Sequence, residues 1–178
     1  MKQSGFTLIE LTLILAIIAL LSAAGSSGYR FMITQFRIQK DVGNLLMMLR
    51  MTREQAITHT TTSVLCPSED GKTCIRNWKL PLIQFHDTNN NKKRDDDEVL
   101  QNRFEAFTGE DLLINYPRTQ VRFNKHGMAN HYNGTFSYCL DEKIKGIVIS
   151  RPGRIRFAQD VNGDLLPDVN SSTPVSCG

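Results

Sequence analysis

The chain has 178 residues, 40% of them hydrophobic, and a formal net charge of +3 at pH 7. This length is enough for one ordinary domain with a sizeable core, in addition to an apolar segment at the start. A charge this small excludes any argument for nucleic-acid binding from composition alone, so an electrostatic argument depends on where the charges lie.

The first element along the chain is an almost wholly apolar run from Phe6 to Ala24. About 19 apolar residues can span a bilayer as a helix, whereas a secretory signal needs only about 7 to 15 and ends at a small-x-small cleavage site. The positive-inside rule places the short start, with Lys2, in the cytoplasm and the chain after the run outside it. Glu10 interrupts the run, although a carboxylate in a bilayer is costly unless it is paired or protonated.

The string "SGFTLIELTLILAIIALL" resembles the class III leader of type IV pilins and type II secretion pseudopilins. The resemblance implies a leader of residues 1–5, cleavage after Gly5 by a prepilin peptidase, and methylation of the new N-terminal Phe6. Glu10 is then the fifth mature residue, where the family places its glutamate. A neighbouring subunit's amino terminus is a suitable partner for this carboxylate, so we interpret Glu10 as a register device for filament assembly. The alternative is a lone protonated glutamate with no role in assembly.

Residues 6–28 are thus expected to form the transmembrane and assembly half of a long helix, and residues 29–178 the head. Within the head, the stretch up to about His59 continues the helix, because apolar residues recur at i, i+3, i+4 and i+7. The predicted buried stripe contains Ile38, Val42, Leu45, Leu46, Leu49 and Ala56. After it the period changes to 2 in eight short runs, which predicts an antiparallel sheet packed on the helix and an α+β fold.

Four motifs in the head resemble the FimT/GspH type of minor pilin and pseudopilin. They read "LRMTREQAITHTTTSVLCPSEDGKTC", "IQFHDTNNNKKRDDDEVLQ", "VRFNKHGMANHYNGTFSYC" and "GIVISRPGRIRF". Together with the leader they cover most of the chain. The resemblance implies a type IV pilin-like fold, in which a long N-terminal helix packs on an antiparallel β-sheet head.

All four cysteines follow the apolar run, and an even number beyond a membrane segment suits an oxidising compartment. Three pairings are possible. We favour Cys66 with Cys74, which closes a tight loop, and Cys139 with Cys177, which ties down the C-terminus. A metal site is less favoured, because the cysteines show no CxxC or Cys/His spacing.

The segment "SRPGRIRFAQD" is the strongest candidate for ligand binding. It reads as the end of one strand, a tight turn at residues 151–153 and a second strand. Arg154 and Arg156 are two residues apart on that strand, so both are expected to point to one face, about 7 Å from each other. Arginines on a rigid strand offer bidentate donors to phosphate, and such binding depends on salt and hardly on base sequence.

Residues 118–156 contain eight lysines or arginines and two acidic residues, which predicts an electropositive part of the head. In FimT-like members a GRxR pattern near the C-terminus is associated with DNA binding in natural transformation, and Gly153, Arg154, Ile155 and Arg156 match it. The predicted DNA-binding residues are Lys125, Lys143, Lys145, Arg151, Arg154 and Arg156. The function expected is that of a minor type IV pilin that binds double-stranded DNA non-specifically and promotes its uptake. The alternative is a structural or priming minor pilin, or a type II secretion pseudopilin, that binds only other pilins.

A second constellation, "DTNNNKKRDDDE", matches part of a calcium-loop template. Positions 1, 3, 5, 9 and 12 are Asp87, Asn89, Asn91, Asp95 and Glu98. Lys92 occupies the position at which the template requires glycine, and the next two residues are also basic. We therefore favour a solvated hairpin turn over a calcium-binding loop. The four histidines lack zinc spacing, and no GxSxG, P-loop or dinucleotide fingerprint occurs in the sequence. We therefore expect no cofactor and no enzymatic activity.

The resemblance also implies where the chain acts and with what. Before assembly the chain is expected to cross the inner membrane once with its head in the periplasm, and afterwards to be part of a pilus on the cell surface. Its expected partners are the prepilin peptidase, other major and minor pilins, and double-stranded DNA.

Overall fold

A computed structural model describes residues 7–107, 109, 111–141, 143–170 and 173–177, without the side chains of residues 23–27 and 30. It begins with one long helix, α1, from Leu8 to Thr58. Thr7 starts this helix with a capping box: its backbone N–H and its hydroxyl both donate to Glu10 Oε2 over 2.9 Å, and Glu10 N donates back to Thr7 Oγ1 over 3.3 Å.

The chain forms two compact units, one up to Arg37 and one from Ile38 onward. In the first unit, α1 exposes many large apolar side chains, among them Leu8 and Leu20. Within the described residues, no helix is both long enough and apolar enough to qualify as a membrane span. The boundary expected at residues 28 and 29 stays a prediction.

In the second unit, α1 packs one face into the core, and all six residues of the predicted stripe are buried. The helix ends at Thr58 in a Schellman motif. Thr60, in the left-handed region at φ 52°, donates its N–H to the carbonyl of Ile57, and Thr61 donates to the carbonyl of Ala56. The helix therefore stops within a residue of the predicted end, although no glycine marks the place.

Among the described residues eight strands follow, one for each short run of the sequence. They are β1 (Ser63–Pro67), β2 (Leu82–His86), β3 (Leu100–Phe104), β4 (Leu112–Asn115), β5 (Val121–Phe123), β6 (Gly134–Leu140), β7 (Lys143–Ile149) and β8 (Ile155–Phe157). They form two four-stranded antiparallel sheets, ordered β3-β2-β1-β5 and β4-β6-β7-β8. The sequence indicated an antiparallel sheet but not its division into two, which depends on pairings between distant runs.

Both sheets contribute to one core beneath α1. Trp78 is 1% exposed, and its ring packs edge-on against Tyr116 and Phe136, which stack on each other with centroids 4.1 Å apart. Leu65 and Ile147 add aliphatic packing from the two sheets. Burial of this aromatic cluster contributes to the stability of the head through apolar area and ring packing.

Two disulfides connect the four cysteines. Cys66 in β1 is bonded to Cys74 with their Cα atoms 5.5 Å apart, and Cys139 in β6 is bonded to Cys177 with their Cα atoms 6.1 Å apart. These are the two pairings that the sequence favoured. The second bond holds the C-terminal segment beside β6, where Val175 is buried.

Candidate nucleic-acid interface

The predicted hairpin at the GRxR pattern is present, with β7 and β8 joined by a tight turn. Gly153 N donates to the carbonyl of Ser150 over 2.9 Å, and Ser150 N donates to the carbonyl of Arg154 over 3.0 Å. Arg151 and Pro152 form the exposed corner of this turn. The turn thus displays Arg151 and Arg154 on either side of a glycine.

Gly153 is the point at which the turn meets a neighbouring loop. Its φ is +86°, and a Cβ placed on it would lie 1.7 Å from the carbonyl oxygen of Gly127. The same carbonyl accepts a 2.9 Å hydrogen bond from Arg53 Nε of α1. Arg151 O also accepts hydrogen bonds from the N–H groups of Ala129 and Asn130. Glycine is therefore required here by both backbone conformation and space.

Three of the six predicted DNA-binding residues lie on these two connected turns. Arg151 and Arg154 are exposed on the first, and Lys125 is exposed on the second, which is closed by the 2.7 Å bond from Gly127 N to Asn124 O. Within the described part of the chain, none of their three charged groups has a hydrogen bond or an ion pair. They form a cationic surface that is available to an anion.

Arg156 differs from Arg154 in what its guanidinium contacts. Arg156 is half-buried, its Nη1 donates to the carbonyl of Phe157 over 3.1 Å, and its Nη2 donates to the carbonyl of Val169 over 2.7 Å. The side chain thus fastens the C-terminal segment to β8. Only its remaining N–H groups could reach a phosphate.

Lys143 and Lys145 lie at the far end of β7 from the turn. A strand rises about 3.3 Å per residue, so Lys145 is roughly 20 Å along the hairpin from Arg151. Both lysines are exposed, and Lys145 lines a shallow groove with Val42 and Phe157. The six predicted residues therefore do not form one cluster.

The calcium-loop residues satisfy one another and their own backbone. Asp87 accepts hydrogen bonds from the N–H groups of Asn91 and Lys92, and Glu98 accepts one from Thr88 N over 2.6 Å. The side-chain amides of Asn89 and Asn91 both donate to Asp95.

An arginine side chain of the protein itself supplies the cation that pairs with this acidic loop. Arg122 Nη1 lies 2.7 Å from Asp87 Oδ2, with both side chains buried. Lys92 adopts the left-handed φ of 74° that a glycine would provide in the template. No cluster of three or more His, Cys, Asp or Glu suited to a metal occurs among the described residues. The loop is thus held by an internal cation, which also makes Arg122 unavailable to an external ligand.

Acid is expected to destabilise the head through His86, which ends β2 beside this loop. Burial and the neighbouring His59 ring, 4.9 Å away between centroids, lower the pKa of His86 below its usual range. The unfolded chain therefore binds the proton more tightly, so this part of the stability is present above about pH 6.5 and decreases as the pH falls further. Urea unfolding at several pH values should show a weaker pH dependence between about pH 5 and 7 for His86→Gln. An identical dependence in both proteins would contradict this assignment.

Two further arginines lie close to the same turn, and no role was predicted for them from the sequence. Arg50 and Arg53 of α1 line a cleft together with residues 152–155. Their spacing of three residues places them on one helix face, which was readable from the sequence. Their proximity to the turn was not readable, because it depends on tertiary packing.

Gly5 and Phe6, the residues predicted for processing, lie outside the described residues.

The comparisons with known proteins agree with this architecture. A family model described as "Type II transport protein GspH" matches residues 41–153, and one described as "Prokaryotic N-terminal methylation motif" matches residues 1–26. The comparison with curated proteins found no match.

Two crystal structures of the type IV minor pilin FimU of Pseudomonas aeruginosa (strain PAO1) are similar in fold. One is 17% identical over 66% of this chain and 85% of FimU, with a TM-score of 0.50. The other crystal form is 18% identical over 67% and 90%, with a TM-score of 0.49. The first match supports a type IV pilin fold, with a long N-terminal helix followed by an antiparallel sheet head. Because the GspH model covers more than half of the sequence, the chain belongs to the GspH family and is a type IV minor pilin or pseudopilin of the FimT/GspH type.

Proposed function

We propose that this minor pilin binds double-stranded DNA non-specifically and promotes DNA uptake in natural transformation. The observation that carries the proposal is the pair of exposed arginines, Arg151 and Arg154, on a turn fixed by Gly153, beside the exposed Lys125. The match of this turn to the GRxR pattern of FimT-like members supports the same function. Lys143, Lys145 and Arg156 contribute less, since the first two lie far along β7 and the third is bonded to Val169.

Binding of this kind requires no base contacts. Guanidinium groups neutralise phosphates and release counterions, so affinity decreases steeply with salt and hardly changes with sequence. A few contacts make each subunit a weak binder. A filament can compensate by presenting several binding subunits to one duplex, because the second contact is then effectively intramolecular.

The family is structural rather than enzymatic, and membership implies a membrane-anchored subunit that assembles with other pilins. We propose processing after Gly5 by the prepilin peptidase, methylation of Phe6, and a single inner-membrane span with a periplasmic head before assembly into a surface pilus. In this proposal Glu10 pairs with the amino terminus of a neighbouring subunit. Of the two carboxylate oxygens of Glu10, Thr7 donates to Oε2, which is compatible with a second partner at Oε1.

The second candidate is a structural or priming subunit, or a type II secretion pseudopilin, that binds only other pilins. The description of the matching family model, a type II transport protein, favours it. In that case a neighbouring pilin would cover Arg151 and Arg154 in the filament. The two candidates therefore differ in what these side chains contact.

Cells carrying Arg151→Gln with Arg154→Gln are expected to form normal pili but to lose most of their DNA uptake. Both residues are exposed, so the substitution should leave the fold intact. The measurements are pilus number by electron microscopy and uptake of labelled duplex. Arg76→Gln, an exposed arginine in the loop between β1 and β2, is the matched control. Loss of pili in the double variant would favour the pilin-only candidate.

A further inference from the structure

The cleft beside the GRxR turn has a second cationic wall, provided by α1. The cleft has a volume of about 560 Å³ and lies between the last turns of the helix and residues 152–155. Arg50 and Arg53 line it from the helix side, and Arg154 lines it from the turn. Two elements distant in sequence thus bring three arginines to one cleft.

The two helix arginines differ in how they are held. Arg53 is half-buried and its Nε is fixed on the carbonyl of Gly127, which leaves its terminal N–H groups for another acceptor. Arg50 is exposed and, in the part of the chain that the structure describes, has no hydrogen bond or ion pair on its side chain. Arg53 therefore positions the neighbouring loop. Arg50 is the arginine on the helix side of the cleft whose charge is available to a ligand.

Glu54 adds an acidic group to the same cleft, four residues after Arg50 on the helix. It is exposed and makes no salt bridge with a described residue. A carboxylate at this position repels any anion that enters. On the helix side of the cleft, Arg50 is thus expected to strengthen anion binding and Glu54 to weaken it, which gives two tests of opposite sign.

We propose that this cleft extends the DNA contact, with Arg50 adding one backbone-phosphate contact to those of Arg151 and Arg154 and with Arg53 acting as a positioning residue. The inference rests on the proposed function. A duplex carries one charge per about 1.7 Å of its axis, so a duplex held at the turn brings further phosphates to the adjoining wall. Nothing in the cleft selects a base, so this contact is expected to be non-specific as well.

The test is a salt titration of duplex binding by the full-length protein in detergent micelles, followed by fluorescence anisotropy. Loss of one phosphate contact makes the slope of log Kobs against log salt less steep by about 0.9, and this change is expected for Arg50→Gln. Glu54→Gln is expected to tighten binding by about 1.5-fold to 5-fold, the range of a single surface charge interaction. Arg76→Gln is the control and should retain the wild-type slope.

The outcomes separate this inference from the proposed function. If the wild type binds, the Arg151→Gln, Arg154→Gln variant does not, and Arg50→Gln keeps the wild-type slope and affinity, then the cleft is no part of the contact and only this inference is overturned. If the wild type itself does not bind at low salt, both are overturned. A less steep slope for Arg50→Gln together with tighter binding for Glu54→Gln supports the extended contact.

Discussion

Replacing Arg122 by methionine is expected to lower the free energy of unfolding of the head by about 3–5 kcal/mol, because it leaves a buried carboxylate without its cation. Asp87 is 0% exposed, and Arg122 Nη1 lies 2.7 Å from its Oδ2. Arg122 Nη2 also donates to Asn90 over 3.0 Å, and the guanidinium lies 5.4 Å from the centre of the Tyr132 ring. Methionine keeps an unbranched apolar side chain about as long as the aliphatic part of arginine, and it removes the guanidinium with its charge, its donors and its contact with the Tyr132 ring.

A double-mutant cycle with Asp87→Asn identifies the source of this loss. Asn91 N and Lys92 N donate to different oxygens of Asp87, so asparagine can keep only one of these two bonds, but it carries no charge to be left unpaired. Urea unfolding of the disulfide-bonded head, residues 29–178, should therefore show that the double variant loses less than the sum of the single variants. Strict additivity would mean that the ion pair does not explain the effect. Arg118→Met, at an exposed arginine, is the matched control.

Replacing Gly153 by alanine is expected to cost about 2–5 kcal/mol, in two parts. A left-handed backbone costs a non-glycine residue about 1–2 kcal/mol, and forcing an extra atom into a packed site typically costs about 1–3 kcal/mol. The packing cost arises because the new Cβ would lie 1.7 Å from the carbonyl oxygen of Gly127. This is a backbone atom, so it cannot move away by a side-chain rotation.

Gly163→Ala is a close control for this substitution. Gly163 has nearly the same φ, +85°, but no atom lies within 4 Å of a Cβ placed on it. It should therefore show only the backbone cost, about 1–2 kcal/mol. Equal losses of unfolding free energy in the two variants would contradict the argument that Gly153 is fixed by its contact with the neighbouring loop.

Local periodicity was sufficient to predict the elements of the head. The stripe from Ile38 to Ala56 and the eight strand runs depend on neighbours within a few residues, where side-chain spacing determines which face is buried. The turn at Gly153 was also readable, since proline and glycine have strong turn preferences. The strand spacing also separates Lys145 from Arg151, although both were predicted to bind DNA.

Local periodicity could not predict whether each charged side chain is paired within the protein or available to a ligand. Arg122 pairs with Asp87, and Arg156 bonds to Val169, through the folding of distant segments. Both were counted as part of the basic region, yet one is buried and the other is partly used by the backbone. Arg50 reaches the candidate site only because α1 packs beside the turn. Composition gives the number of charges, whereas the fold decides which of them remain available.

The most direct test is duplex DNA binding by the full-length protein across a salt series, comparing the wild type with Arg151→Gln plus Arg154→Gln. The account predicts wild-type binding that weakens steeply with salt and is largely lost in a folded double variant. The thermal unfolding profile and the two disulfides serve as checks on folding. Absence of wild-type binding at low salt, or equal binding by the double variant, would contradict DNA capture by this turn and indicate that its partners are other pilins.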